Sequence, residues 1–239
     1  MHYIRGGCNA WMGLDMIFYI NDVLTPDELQ KLRDEARLLP FVPGAETAGS
    51  RAQRVKNNEQ ISQKAEGRKV LHDIILTALA RNKEFNRVAL PKNIRPPLIS
   101  RYRQGMAYGK HVDSALMGPK MLRERADISI TVFISDIDEY DGGELVIHSP
   151  FGAHQVKLRS GSLVLYPSSS LHQVSEVSRG ERVVAVTWAQ SYVRDERQRE
   201  ILANLGQIKE KMNAMAVDAV ETDLAHHTYA NLLRMWAEV

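Results

Sequence analysis

Cysteine is almost absent from this chain: Cys8 stands alone in 239 residues. A single thiol excludes an intrachain disulfide framework and a zinc site built on thiolates, and it makes the reducing cytoplasm the expected location. Long hydrophobic runs are missing too, since nothing approaches the roughly 20 apolar residues of a membrane helix. Residues 1–15 lack the apolar stretch and small-residue cleavage site of a secretory signal. Charge of one sign is also missing. The net charge is +2 and Lys and Arg are dispersed, so neither nucleic acid nor a membrane is an expected partner. Apolar residues at 44% and charged residues at 25% provide for a sizeable core without a signature of disorder. There is no internal repeat and no low-complexity segment.

Residues 1–15 read as an irregular segment with Gly6, Gly7 and Gly13, and Met16, where regular texture begins, is a candidate native start. Thr25-Pro26-Asp27-Glu28 predicts a helix start: a Thr cap, Pro at the first helical position and Glu three residues after the cap. Leu29, Leu32, Ala36 and Leu39 then share a face, giving a helix to about Pro40. Pro43 to Lys69 is polar with little periodicity, and Val70, Leu71, Ile74, Ile75, Ala78 and Leu79 predict a second helix. Arg95-Pro96-Pro97 closes this helical region, 16–97.

From 98 to 192 the texture is β-rich. Ile128, Ile130, Val132 and Ile134 alternate with Ser129, Thr131 and Phe133, and further runs cover Gly143–His148, His154–Leu158, Ser162–Tyr166, Leu171–Val177 and Arg182–Trp188. Such closely spaced strands without intervening helices predict an antiparallel barrel or double-sheet jelly roll. Residues 193–239 return to helix. Ile201, Leu205, Ile208, Met212 and Met215 form a seam expected to pack on the barrel, with a homodimer through the C-terminal helices as the alternative. A last helix, Asp223 to Glu238, is expected to bury Leu224, Leu232 and Trp236. The fold class is therefore mainly β with flanking helices: a jelly-roll core, N-terminal helices and a C-terminal helical extension.

The chemistry-bearing residues lie in the β-rich middle. His111 and Asp113, two apart, project from one face if they share a strand, and His172 on a later strand can supply a third ligand. Two imidazoles and a carboxylate on one face of an octahedral ion leave positions for a bidentate co-substrate and O2, the arrangement of a non-haem Fe(II) centre. Arg182, expected at the head of a strand after the turn-like Ser178-Arg179-Gly180-Glu181, can grip a carboxylate with two parallel hydrogen bonds. An oxygen-activating iron enzyme that consumes a keto-acid fits this set best. A cupin-like module that senses iron or a keto-acid and a zinc hydrolase are the rivals; structural zinc would need a fourth protein ligand, and none is evident. Lys56, Asn57 and Asn58 form a polar patch suited to a substrate-contacting loop. His148 and His154 are expected to face solvent.

Tyr102-Arg103-Gln104-Gly105-Met106-Ala107-Tyr108 running into His111-Val112-Asp113 resembles the prolyl-4-hydroxylase-like Fe(II)/2-oxoglutarate dioxygenases. Asp141-Gly142-Gly143-Glu144-Leu145, the run Leu165 to His172, and Arg182 continue the match. Val55-Lys56-Asn57-Asn58 and the stretch Gln190 to Arg194 resemble, more narrowly, the bacterial PKHD-type hydroxylases associated with iron uptake. The resemblance spans about Met16 to Val239. It implies a double-stranded β-helix core, Fe(II) held by His111, Asp113 and His172, and the distal carboxylate of 2-oxoglutarate on Arg182 with Tyr102 as a second contact. The chemistry it implies is hydroxylation of a small molecule or peptide by O2, coupled to decarboxylation of 2-oxoglutarate to succinate, with ascorbate as reductant. Retention of Asp113 argues against a halogenase. The resemblance leaves the oxidised substrate unnamed.

Overall fold

The computed structural model describes residues 16–47, 52–150, 152–216 and 218–239; the irregular segment 1–15 lies outside them. Among the described residues five α-helices accompany the strands: α1 (Pro26–Arg37), α2 (Arg68–Arg81), α3 (Lys83–Ala89), α4 (Glu196–Ala214) and α5 (Ala219–Trp236). The front of the chain contributes short strands β1 (Phe18–Ile20), β2 (Phe41–Pro43), β3 (Lys56–Asn57), β4 (Glu59–Ile61) and β5 (Pro91–Ile94). The middle adds β6 (Leu98–Arg103), β7 (Ala107–His111), β8 (Leu116–Met117), β9 (Glu124–Arg125), β10 (Ile128–Phe133) and β11 (Tyr140–Gly142). Then come β12 (Leu145–Ser149), β13 (Gly152–Val156), β14 (Leu163–Pro167), β15 (Leu171–Val174) and β16 (Val177–Ser191).

Two antiparallel sheets make the expected jelly-roll core. The larger runs β1-β14-β10-β16-β6-β4-β2, with β5 and β11 also on β16; the smaller runs β13-β12-β15-β7-β3, and β8 pairs with β9. Every residue of β10 is buried. Its even residues Ile128, Ile130 and Val132 join Leu163, Leu165 and Ala185 in a core capped by Leu32 of α1 and Leu71, Ile75, Ala78 and Leu79 of α2. Phe133, Val164, Tyr166 and Val184 point the other way, into the space between the sheets. The alternation of period two therefore divides the larger sheet into a helix-backed face and an inner face.

At the start of α1 the capping box is present: the Glu28 amide donates to Thr25 Oγ1 and the Thr25 amide donates to Glu28 Oε2. Where the front of the chain was expected to be helical or without periodicity, it also supplies strands to both sheets. Strands of two to four residues are too short for alternation to register. β16 runs without a break through Ser178 to Glu181, so Arg182 lies inside a strand and not at its head; Gly180, at φ +76°, pairs with Tyr140 and keeps the ladder going where a turn was expected.

No residue of the C-terminal seam is buried, and Leu205 and Met212 are only half-buried. Ile201, Ile208 and Met215 are exposed, while α4 buries the adjacent stripe Arg199, Leu202, Ala203 and Gly206 and packs on α3 and α5. Gly206 lets Arg87 approach, and Arg87 donates to the Ala203 carbonyl at 3.1 Å. α5 buries no residue completely: Leu224 is exposed and Leu232 and Trp236 are half-buried, because α5 lies on α4 with its outer face in solvent. His148 and His154 are half-buried where β12 meets β13, so neither faces solvent fully.

Candidate metal centre

His111 is the last residue of β7 and His172 the second of β15; they are direct cross-strand partners, which brings their ring centroids to 4.2 Å. Asp113 sits two residues past the end of β7, off the strand, contrary to the expectation of one shared strand face. The chain leaving β7 nonetheless turns its carboxylate inward. One ligand atom from each of His111, Asp113 and His172 lies within 4.8 Å of the others.

Hydrogen bonds orient all three side chains. His111 Nδ1 is 2.8 Å from the Gly109 carbonyl and His172 Nδ1 is 3.0 Å from the Ser170 carbonyl, so each Nδ1 donates and each Nε2 keeps its lone pair for a metal. Asp113 Oδ2 accepts from Ser129 Oγ at 2.6 Å and from Trp188 Nε1 at 2.8 Å. Ser129 and Trp188 face each other across the β10–β16 ladder, which is why both reach the same oxygen. Burial first, and then the neighbouring His172, push the His111 pKa down to about 4, favouring the neutral imidazole that a metal needs. Tyr108 stacks on His111 at 3.6 Å and Tyr166 meets His172 edge-on at 5.2 Å.

Arg182 is 1% exposed, and its Nε and Nη1 find no hydrogen-bonding partner in the protein. Its guanidinium lies 5.1 Å from the Tyr102 ring and 5.7 Å from that of Phe133. Burial raises the pKa of the Tyr102 and Tyr140 phenols, opposed in both by the charge of Arg182, so both stay protonated as potential donors. Gly143 makes the room: a Cβ there would lie 3.0 Å from Arg182 Cδ. Its neighbour Gly142, at φ +72°, passes so close to the Glu176 carbonyl that a Cβ would fall 2.1 Å from the oxygen. A buried guanidinium with unused donors fits a ligand carboxylate, and the His-Asp-His set fits a divalent metal with open positions.

Arg182, Tyr102 and the three metal-ligand candidates line one cavity of about 530 Å³. Lys56 and Asn58 line it as well, whereas Asn57 is exposed and donates to the Gly105 carbonyl at 3.3 Å; alternation along β3 sends it outward. Lys56 lies over the Tyr108 ring, and burial, against the pull of Asp113, brings its pKa down to about 8. Sequence reasoning missed Ser129 and Trp188. The available signal was a polar residue alternating inward along an otherwise apolar strand.

The family model of the 2OG-Fe(II) oxygenase superfamily matches residues 97–190. A PKHD-type hydroxylase of Synechococcus elongatus is 43% identical over 223 residues, covering 93% of this chain and 100% of that protein. The chain belongs to the PKHD-type hydroxylases of the 2OG-Fe(II) oxygenase superfamily. Another member, from Burkholderia ambifaria, is 42% identical over 226 residues, with 93% of this chain and 100% of its own length covered. A Pseudomonas putida prolyl-4-hydroxylase shares the fold at TM-score 0.53 and 18% identity, covering 75% of this chain and 95% of its own. A viral collagen prolyl hydroxylase from Paramecium Bursaria Chlorella virus-1, solved with 2-oxoglutarate, aligns at TM-score 0.51 and 16% identity over 76% of this chain and 99% of its own. This PKHD-type hydroxylase is therefore a dioxygenase with a jelly-roll core, dependent on Fe(II) and 2-oxoglutarate. Among its described residues no helix is long and apolar enough to cross a membrane.

Proposed function

We propose that His111, Asp113 and His172 hold Fe(II), that Arg182 with Tyr102 binds the distal carboxylate of 2-oxoglutarate, and that the enzyme hydroxylates a small molecule or peptide. The observation that carries the assignment is the fully buried Arg182, with unused donors in the same cavity as the His-Asp-His set. Iron bound there would activate O2, the oxidant, which takes two electrons from 2-oxoglutarate as it is decarboxylated to succinate and two from the substrate as it is hydroxylated. The protein's own residues do the positioning. Ser129 and Trp188 direct the Asp113 carboxylate, the Gly109 and Ser170 carbonyls set the imidazole tautomers, and the Tyr102 phenol adds a donor beside Arg182. Lys56 and Asn58 face the substrate.

Ascorbate as reductant, a cytoplasmic location and a place in iron uptake complete the proposal, resting on the sequence resemblance and the single cysteine. The exposed Ile201, Ile208 and Met215 support a homodimer through α4, which light scattering tests. For the assignment itself, Fe(II)-protein is titrated anaerobically with 2-oxoglutarate and the visible spectrum followed, and succinate is then measured in air. A new absorption band and iron-dependent succinate are expected. Iron-loaded protein that binds no 2-oxoglutarate at millimolar concentration, with Arg182→Ala changing nothing, would overturn it. A mass-spectrometric screen for gain of one oxygen, requiring both iron and 2-oxoglutarate, then seeks the substrate.

A further inference from the structure

Away from the metal and Arg182, one stretch of chain lines the cavity. Lys56, Asn58 and Gln60 do so at every second residue, followed by Gln63, Arg68 and His72. Arg68 and His72 are i and i+4 and therefore share a face of the first turns of α2. Arg95, just past β5, lines the cavity as well and holds Glu124 at 3.0 Å through Nη1. Asp113 is the only carboxylate among the described lining residues, and it is assigned to the metal.

The start of α2 breaks the electrostatic rule that the other long helices obey. α1, α4 and α5 have side-chain caps from Thr25, Asp195 and Asp218 and an acidic residue in the first turn. α2 begins at Gly67 with no side-chain cap and no acidic residue in its first turn, and Arg68 opens it. A cation at the positive end of a helix dipole is unfavourable unless an anion joins it. At His72 burial first, and then the charge of Arg68, lower the pKa, against the opposing charge of Asp73 and a hydrogen bond with the Pro97 backbone. Gln63, whose side-chain oxygen accepts from the Arg68 guanidinium, carries no charge.

A second feature points to a ligand. Asn58 is 5% exposed, and neither its amide nitrogen nor its oxygen makes a hydrogen bond of normal geometry; the Tyr102 phenol is the polar group beside it. Leaving such a group unpaired in the protein interior is unfavourable, and a ligand that pairs with it removes that cost. Its Oδ1 packs against Gly44, where a Cβ would fall 1.9 Å from it.

We propose that the substrate oxidised by this enzyme carries an anionic oxygen group, carboxylate or phosphate, held by Arg68 at the N-terminus of α2 with Arg95, while the Asn58 amide bonds the portion nearer the metal. The inference rests on the oxygenase reading of the cavity. The test uses protein loaded with Mn(II) and N-oxalylglycine, an unreactive analogue of 2-oxoglutarate, so that Arg182 is already occupied. N-acetylglycine, methyl phosphate and the neutral N-acetylglycinamide are titrated in by ligand-observed NMR, and retention of N-oxalylglycine is followed in parallel. One of the two anions should bind about tenfold more tightly than the amide, the order of one charge-assisted hydrogen bond. Preference for N-acetylglycine identifies a carboxylate substrate, and preference for methyl phosphate a phosphorylated one. Arg68→Gln should erase the preference and leave N-oxalylglycine binding unchanged, which also reports that the variant is folded. Loaded protein that binds neither anion better than the amide, or a preference that survives Arg68→Gln, overturns the inference alone. Failure of N-oxalylglycine to bind overturns the oxygenase reading beneath it and the inference with it.

Discussion

Ile128, Ile130 and Val132 leave β10 on one side and enter a dry core beneath the helices, whereas Ser129 and Phe133 leave it on the other and serve the site between the sheets. Along β16 the same division sets Ala185 and Ala189 against Arg182 and Trp188. One face of a sheet is filled with groups that want only contact; the other holds groups that want a ligand. Stability and function are thereby separated by a rotation of one residue along a strand. A buried guanidinium whose Nε and Nη1 lack partners costs folding energy that the helix-backed face must offset.

The sharpest way to break this comparison is to mutate one residue on each face. Arg182→Met removes the buried charge while keeping much of its volume. It should weaken 2-oxoglutarate binding by about 2–5 kcal/mol or more, as loss of one member of a buried charge pair does. The same change should leave the ligand-free protein as stable as the parent or about 1–4 kcal/mol more stable. Leu163→Ala, on the other face at 0% exposure, should cost about 2–5 kcal/mol of stability by opening a cavity. Its effect on 2-oxoglutarate affinity in the folded protein should be small. Denaturant melts and anaerobic titrations on the two variants check both halves. A strong loss of stability in Arg182→Met would show that its guanidinium is structurally satisfied and sink the separation of faces.

Trp188→Phe sharpens the comparison within the inner face. It keeps an aromatic ring against the cavity and removes the Nε1 donor to Asp113 Oδ2 together with part of the indole's volume. Loss of an outer hydrogen bond to a metal ligand typically lowers metal affinity about 10- to 100-fold. Fe(II) affinity, measured by competition with a chelator, should fall by that amount with little change in stability. An unchanged affinity would mean that Ser129 alone orients the carboxylate.

The two faces were not equally legible. Alternation along β10 and the apolar periodicity of α2 were plain because each repeats over several turns or residues, and the Thr25 capping box was plain because it is local. His111, His172 and Arg182 could be picked out by residue type, but their convergence depends on β7 lying beside β15, a pairing between strands far apart in sequence. The same reason hides Ser129 and Trp188, which act as a pair only because β10 and β16 are in register. β3 and β4 give no readable period, so Lys56, Asn57 and Asn58 looked alike until the strand turned Asn57 outward. The seam of α4 was visible but misleading: a stripe of Ile and Met records an apolar face without saying what covers it, and the helix packs through the adjacent stripe Arg199, Leu202, Ala203 and Gly206.

The smallest effect lies on the helix-backed side, where Glu28 closes the capping box of α1 and binds Arg81 of α2. The hydrogen bond from Arg81 is the largest influence holding its carboxyl down to about 2, from an ordinary value of 4.5. The folded-state pKa is lowered, so the unfolded chain binds the proton more readily through this range. The contribution is complete above pH 4.5 and is lost as pH falls toward 2. Because both side chains meet water, solvent screening holds it to about 0.5–1 kcal/mol. Glu28→Gln should lower stability by that amount at neutral pH and converge with the parent as acid protonates Glu28. The difference between the two denaturant midpoints against pH measures the effect. A difference that stayed constant down to pH 2 would assign the role of Glu28 to packing and remove charge from the account of how α1 and α2 are joined over the core.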